Sequence, residues 1–160
     1  IVSASAIALS LIASAASAQA VRTEKNMSLE LANQIAAATV AACAANNYNV
    51  TAAVVDRAGV LRALQRADNA GPHTVGAAQG KAYTSASARN TTAAMLENVQ
   101  KNPGAQTLVD IPGFLVLGGG VPVKVGNEVI GAVGVGGAPG GHLDEQCANA
   151  GIAKVAELLK

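Results

Sequence analysis

The stretch GGGVPVKVGNEVIGAVGVGG, residues 118–137, holds eight glycines in twenty positions. Such density suits either a loop that cradles phosphate or a sheet that something approaches closely. Val121, Val123 and Val125 alternate with Pro122, Lys124 and Gly126. Beyond the turn Gly126-Asn127-Glu128, Val129, Val133 and Val135 keep one parity, while Ile130, Ala132, Gly134 and Gly136 keep the other. Period two on both sides of a Gly-Asn turn predicts a β-hairpin. No G-x-x-x-x-G-K-[ST] string occurs, and no G-x-G-x-x-G opens a helix. The glycines therefore belong to strands, where they mark a bulge or a close approach by another backbone or a ligand.

Working outward, Ser28 fits an N-cap before LELANQIAAATVAACAANN, whose Leu31, Ile35, Ala38 and Ala42 recur at helical spacing. The runs YNVTAAVVD and VLRALQR, joined by Arg57-Ala58-Gly59, predict a second hairpin. A small-residue helix is expected from His73 to about Arg89, then a break with a fresh N-cap at Asn90-Thr91-Thr92 and a short helix to Gln100. Lys101 to Gly113, with two prolines and two glycines, reads as irregular. Leu143 to Lys160 reads as a last helix, with Asp144 and Glu145 in its first turn, where carboxylates suit the helix dipole. The order implies an α+β domain with an antiparallel sheet of about five strands flanked by helices.

The 160 residues suffice for one ordinary domain. Residues 1–20 carry no charge and combine an apolar run, Ala6 to Ala13, with Ala18-Gln19-Ala20, the pattern of a secretory signal peptide and its cleavage site. A domain spanning 21–160, exported to a periplasm or the cell exterior and not inserted in a membrane, is the expectation. The 11 basic and 10 acidic residues nearly cancel, and the only aromatics are Tyr48, Tyr83 and Phe114. This disfavours nucleic-acid binding, which calls for a basic face with stacking rings. Cys43 and Cys147 form one disulfide in an oxidising compartment or are two small buried residues, and the sequence leaves both open. No Ser-hydrolase G-x-S-x-G and no H-E-x-x-H is present.

Four segments together carry a resemblance: VVDRAGVLRALQRADNA (54–70), AAQGKAYTSA (77–86), GGGVPVKVGNEVIGAVGVGGA (118–138) and DEQCANAG (144–151). In their order and spacing they resemble the GlcG/HbpS-like family, which includes the C-terminal domain of PduO-type proteins. The resemblance implies a profilin-like or PAS-like sheet in a homo-oligomer that binds haem or serves corrinoid metabolism, with one exported branch serving a redox sensor protein. On this sequence it aligns Asp56 and Gly59 with the first hairpin and Arg66 and Asp68 with the loop after it. Lys81, Ala82 and Thr84 fall on the KA-x-T helix implied to contact ligand, and Gly119, Pro122, Gly126, Gly131 and Gly134 on the second hairpin. Ala67 and Gly136 depart from the family's usual Met and Ser.

Haem requires an apolar slot and an axial ligand such as His, Met, Cys or Tyr. His73 is the expected ligand, with Tyr83 and Thr84 further along the same helix lining one cleft. Its plainer role is a solvated ring flanking the helix start. His142 lies in the Gly-rich exit loop. Lys81 and Arg66 can neutralise haem propionates, or an organic acid, by charge-assisted hydrogen bonds, and either can equally be a solvated surface charge. The function expected is binding of haem or a related tetrapyrrole. The alternatives are an enzyme or accessory protein of organic-acid metabolism, with Asp68 or His73 as base, and an assembly module using the smooth Gly/Ala surfaces.

Overall fold

The computed structural model describes residues 20–160, so the expected leader lies outside the described residues but for Ala20. Four helices and four strands follow in the order α1 (Leu29–Ala44), β1 (Thr51–Asp56), β2 (Leu61–Arg66), α2 (His73–Ala88), α3 (Thr92–Lys101), β3 (Gly120–Val125), β4 (Glu128–Gly136) and α4 (Gly141–Lys154). Local chemistry sets their ends. Ser28 Oγ accepts the Leu31 N–H at 3.1 Å and Thr91 Oγ1 that of Ala94 at 3.2 Å, each relieving a helix of an unpaired donor. Arg89 closes α2 in the left-handed conformation, with φ of 54°. In the first hairpin the Asp56 carboxylate accepts the N–H groups of Ala58 and Val60, and Gly59 supplies a φ of 79°.

The strands form one antiparallel sheet in the order β2-β1-β4-β3. It has four strands, not about five, because the C-terminal glycine region supplies only β3 and β4. Gly119, with φ of 121°, is not extended, and the segment before it holds a 3₁₀ helix, Pro103–Asp110. Ile130 corrects the expected alternation. Val123 pairs with Gly131 and Lys124 with Val129, so a bulge skips Ile130 and turns it into the same cluster as Val133 and Val135. The final helix is also shorter than expected, ending at Lys154 before a short 3₁₀ turn, Ala156–Leu158.

The two faces of the sheet differ. Val54, Val121, Val123, Val133 and Val135 pack under α1 and α4, together with Ile35 and the disulfide Cys43–Cys147. The other face is Ala53, Val55 and Ala132 against Ala78, Ala82 and Ala86 of α2. Small side chains on both partners bring the α2 backbone down onto β4. A Cβ added at Gly134 would lie 2.1 Å from the Ala78 carbonyl oxygen and 2.5 Å from the Ala82 nitrogen. Neither is a flexible side chain that can step aside. Gly134→Ala is therefore expected to lower stability by about 1–3 kcal/mol, the usual range for overpacking. Gly104→Ala, where an added Cβ meets nothing within 4 Å, is the control. Urea midpoints compare the two, and equal midpoints would refute the close approach.

Candidate functional site

In α4 the spacing of His142, Glu145, Gln146 and Asn149 places them on one face of the helix. The other face, Asp144, Cys147, Ala148 and Gly151, is buried. Three contacts fix the helix. Cys147 is bonded to Cys43 of α1. Gly151 seats on Thr39, where a Cβ would come 2.0 Å from Oγ1. The Asp144 carboxylate accepts the Lys81 ammonium at 2.7 Å and the Ala138 N–H at 3.0 Å. Burial pushes the Asp144 carboxyl pKa up, opposed by the Lys81 ammonium and the Ala138 N–H.

The polar face of α4 looks across a groove at α3, and the groove's volume is about 520 Å³. This lies within the roughly 300–1,000 Å³ of small-molecule sites. Leu96 and Leu117 supply apolar walls, and Gly118 meets Gly141 backbone to backbone at the floor. A Cβ at Gly141 would lie 2.8 Å from the Gly118 oxygen, so two glycines let the loop before β3 touch the start of α4. The Gly120 N–H donates to Thr92 Oγ1 at 2.8 Å and pins the α3 wall to the sheet. His142 lines the groove from its exposed rim, its ring folded over Gly140. Glu145 is half-buried, its Oε2 is buried without a hydrogen-bond partner, and burial pushes its pKa up. Across the groove Glu97 is paired with Lys101, which holds its carboxyl below the usual range. Among the described residues no three His, Cys, Asp or Glu side chains gather as a metal site.

The residues singled out from the sequence do not form one cleft. Lys81 is buried, and its ammonium is taken up by Asp144 and by the Val135 carbonyl at 2.8 Å. It is not a solvated surface charge in this fold. Thr84 is also buried, its hydroxyl donating to the Gly80 carbonyl and accepting the Leu115 N–H. Tyr83 lies on the surface between Gly59 and Gly113, its ring edge-on to Phe114 at 6.1 Å. It lines a groove of about 310 Å³. His73 is exposed in a different groove, among Asn47, Asn49 and Asn69. Ten residues of helix separate it from Tyr83, about 15 Å of rise. Arg66 and Asp68 are exposed, and the Arg66 guanidinium donates to the Ala70 carbonyl at 2.9 Å. Asp144 belongs to the interior, while Glu145 lines the groove. His142 and Glu145 were the less conspicuous residues in the sequence. The i, i+3, i+4, i+7 polar stripe of α4 was the signal for them, but the wall opposite is set only by the fold.

Residues 27–153 match the family described as "Haem degrading protein HbpS-like". The chain belongs to the HbpS-like family. It is 40% identical over 114 residues to protein GlcG of Escherichia coli K12, an alignment covering 71% of this chain and 84% of GlcG. Among solved structures it is similar to a double mutant of Streptomyces reticuli HbpS, with a TM-score of 0.80, 35% identity, and 96% of this chain and 98% of that one covered. The complex of PduOC with haem, at 23% identity, shares the fold with a TM-score of 0.71, covering 80% of this chain and 94% of that one. The open four-stranded sheet flanked by helices is thus the fold of HbpS-like proteins, as the four segments implied.

Proposed function

We propose that this HbpS-like chain is an exported, self-associating protein that binds haem or a related tetrapyrrole in the groove between α3 and α4 and signals its loading to an extracytoplasmic sensor. The observation that carries the reading is an imidazole beside an apolar floor. His142 lines the largest of the described grooves together with Leu96, Leu117 and the Gly118–Gly141 contact. The family's description and the haem complex of PduOC support the choice of ligand. Of the groove's residues, the His142 imidazole would hold the iron, and Leu96, Leu117 and the two glycines would offer apolar surface to a flat macrocycle, with Glu97 and Glu145 lining the same groove. Bound haem would supply an iron that takes a nitrogen ligand. The protein's own part is to hold that nitrogen in place, through Gly140 under the ring and through the buried anchors of α4. The uncharged, Ala- and Ser-rich residues 1–20 support export.

Haemin titrated into the protein and followed by absorbance tests this. A saturable Soret shift that is lost in His142→Ala and kept in His73→Ala is the expected result. Loss in His73→Ala alone would move the site to the Asn-lined groove. No saturable shift in any of the three would overturn the haem reading. A band that forms and then bleaches would turn it from binding to degradation.

A further inference from the structure

The sheet finishes its two edges differently. Along β3, Val121 faces β4, and the backbones of Gly120 and Pro122 on either side of it point outward. The Gly120 N–H is taken by Thr92 Oγ1 and Pro122 has no N–H, so that edge is closed. Along β2, the Ala67 N–H donates to the Val50 carbonyl. By alternation Gln65 and Ala63 also face β1, and the backbones of Leu64 and Arg66 point outward. Among the described residues no turn, loop or cap bonds to those outward groups, and β2 ends the sheet. We propose that the β2 edge, with the groove beside it, is a docking site for an extended acidic segment of a partner protein, added to the sheet as a further strand. This site is independent of the haem groove.

The side chains around the edge define what the segment carries. Arg62 and Arg66 are exposed, and among the described residues neither takes part in an ion pair. Arg66 gives one nitrogen to the Ala70 carbonyl and keeps its other donors. On the opposite side, α2 packs on β4, β1 and β3 and leaves β2 largely uncovered. There a groove of about 310 Å³ runs between Val55, Leu61 and Tyr83, past the backbones of Gly76 and Gly80. Leu61 shares that face with Val55, and Leu64 shares it with Ala53. Leu61 and its neighbour Val60 leave 43% and 60% of their surface exposed. A strand laid along β2 would bond to the Leu64 and Arg66 backbones, drop an apolar side chain into the groove and set carboxylates against the arginines. In such complexes main-chain bonds give affinity and side-chain pockets give specificity. The register with β1 skips Arg62, so a bulge bends the strand there and the regular edge is short, residues 63–66. A second copy fits poorly. In the two-fold antiparallel pairing centred on Leu64, Arg62 of one copy falls opposite Arg66 of the other, and like charges so placed repel. The charges that deter a second copy admit an acidic strand.

The probe is a short capped peptide of alternating valine and threonine with a glutamate near each end. It is compared with the same peptide carrying lysines there, and with a glutamate peptide whose central N–H groups are methylated. Binding to isotope-labelled protein is followed by NMR of the backbone amides. The expected result is saturable binding of the glutamate peptide, with the Leu64, Arg66 and Tyr83 amides shifting and the Leu64 N–H exchanging more slowly. The lysine and methylated peptides should bind more weakly. Arg62→Glu with Arg66→Glu should weaken the glutamate peptide by about tenfold and tighten the lysine peptide by a similar factor, as exposed attractions become repulsions. If circular dichroism shows that double variant misfolded, the wild type's choice between glutamate and lysine peptides decides. Equal affinity for those two peptides, undiminished binding of the methylated one, or shifts confined to other surfaces would overturn the proposal. So would the absence of saturable binding. Protection of the Leu64 N–H that rises with protein concentration in the absence of peptide would assign the edge to a second copy, and overturn it as well.

Discussion

Replacing Cys43 and Cys147 together by alanine is expected to remove about 4–5 kcal/mol of stability, the estimate for closing a loop of roughly 100 residues. The bond joins positions 104 apart, so the loop it closes contains the whole sheet together with α2 and α3. Cross-linking so long a segment restricts the unfolded chain far more than the folded one. Domains of this kind hold about 5–15 kcal/mol in all, so the loss is a large share of the total. Both sulfurs lie in the valine-rich core, where truncation also leaves space unfilled. Urea unfolding of the oxidised wild type, the reduced wild type and the double variant measures it. The last two should unfold well below the first, the double variant lowest because its core also loses two sulfur atoms. Coincidence of all three midpoints would mean that the bond contributes nothing.

Lys81→Met should be nearly as damaging, by about 3–5 kcal/mol at neutral pH, the range for breaking one side of a buried ion pair. Methionine replaces the alkyl stem but leaves the Asp144 carboxylate buried with only the Ala138 N–H, and it deprives the Val135 carbonyl of its donor. Asp144 gives the effect a sign in pH. Its folded pKa is raised above the unfolded value, so the folded state is penalised once the carboxyl ionises, and that penalty vanishes below the unfolded value of about 3.9. Without the ammonium the penalty grows, so the variant's deficit should shrink as pH falls toward 4. Lys81→Met combined with Asp144→Leu removes both charges and should recover much of the loss. Thermal unfolding of the three proteins at two pH values decides the matter, and a deficit independent of pH would refute the account.

What could be read from the sequence was whatever a few neighbouring residues determine. Ser28 and Thr91 cap helices by bonds that span three residues, and Gly59 and Gly126 turn hairpins within four. What escaped reading depends on partners far along the chain. Lys81 in an alanine-rich helix resembles a solvated lysine until Asp144, 63 residues later, is placed beside it. Ile130 follows the valine parity only because β3 pairs across a bulge. The resemblance led to the right fold and family, yet the candidate site residues went to different places. Thr84 and Lys81 became interior bonds, while His73 and Tyr83 came to line separate grooves. The groove at α4 was harder to see still, since Leu96 and Glu145 meet only when the helices are packed.

The seat of α2 on β4 has a consequence for how such a chain can diverge. Gly134, Ala78 and Ala82 occupy a space with no spare atom, so none of the three can grow unless the helix is lifted from the sheet. Substitutions there would have to arrive in compensating pairs. Lineages descending from this sequence should therefore vary freely at exposed positions such as Ser87, and hold these three almost fixed or change them in concert.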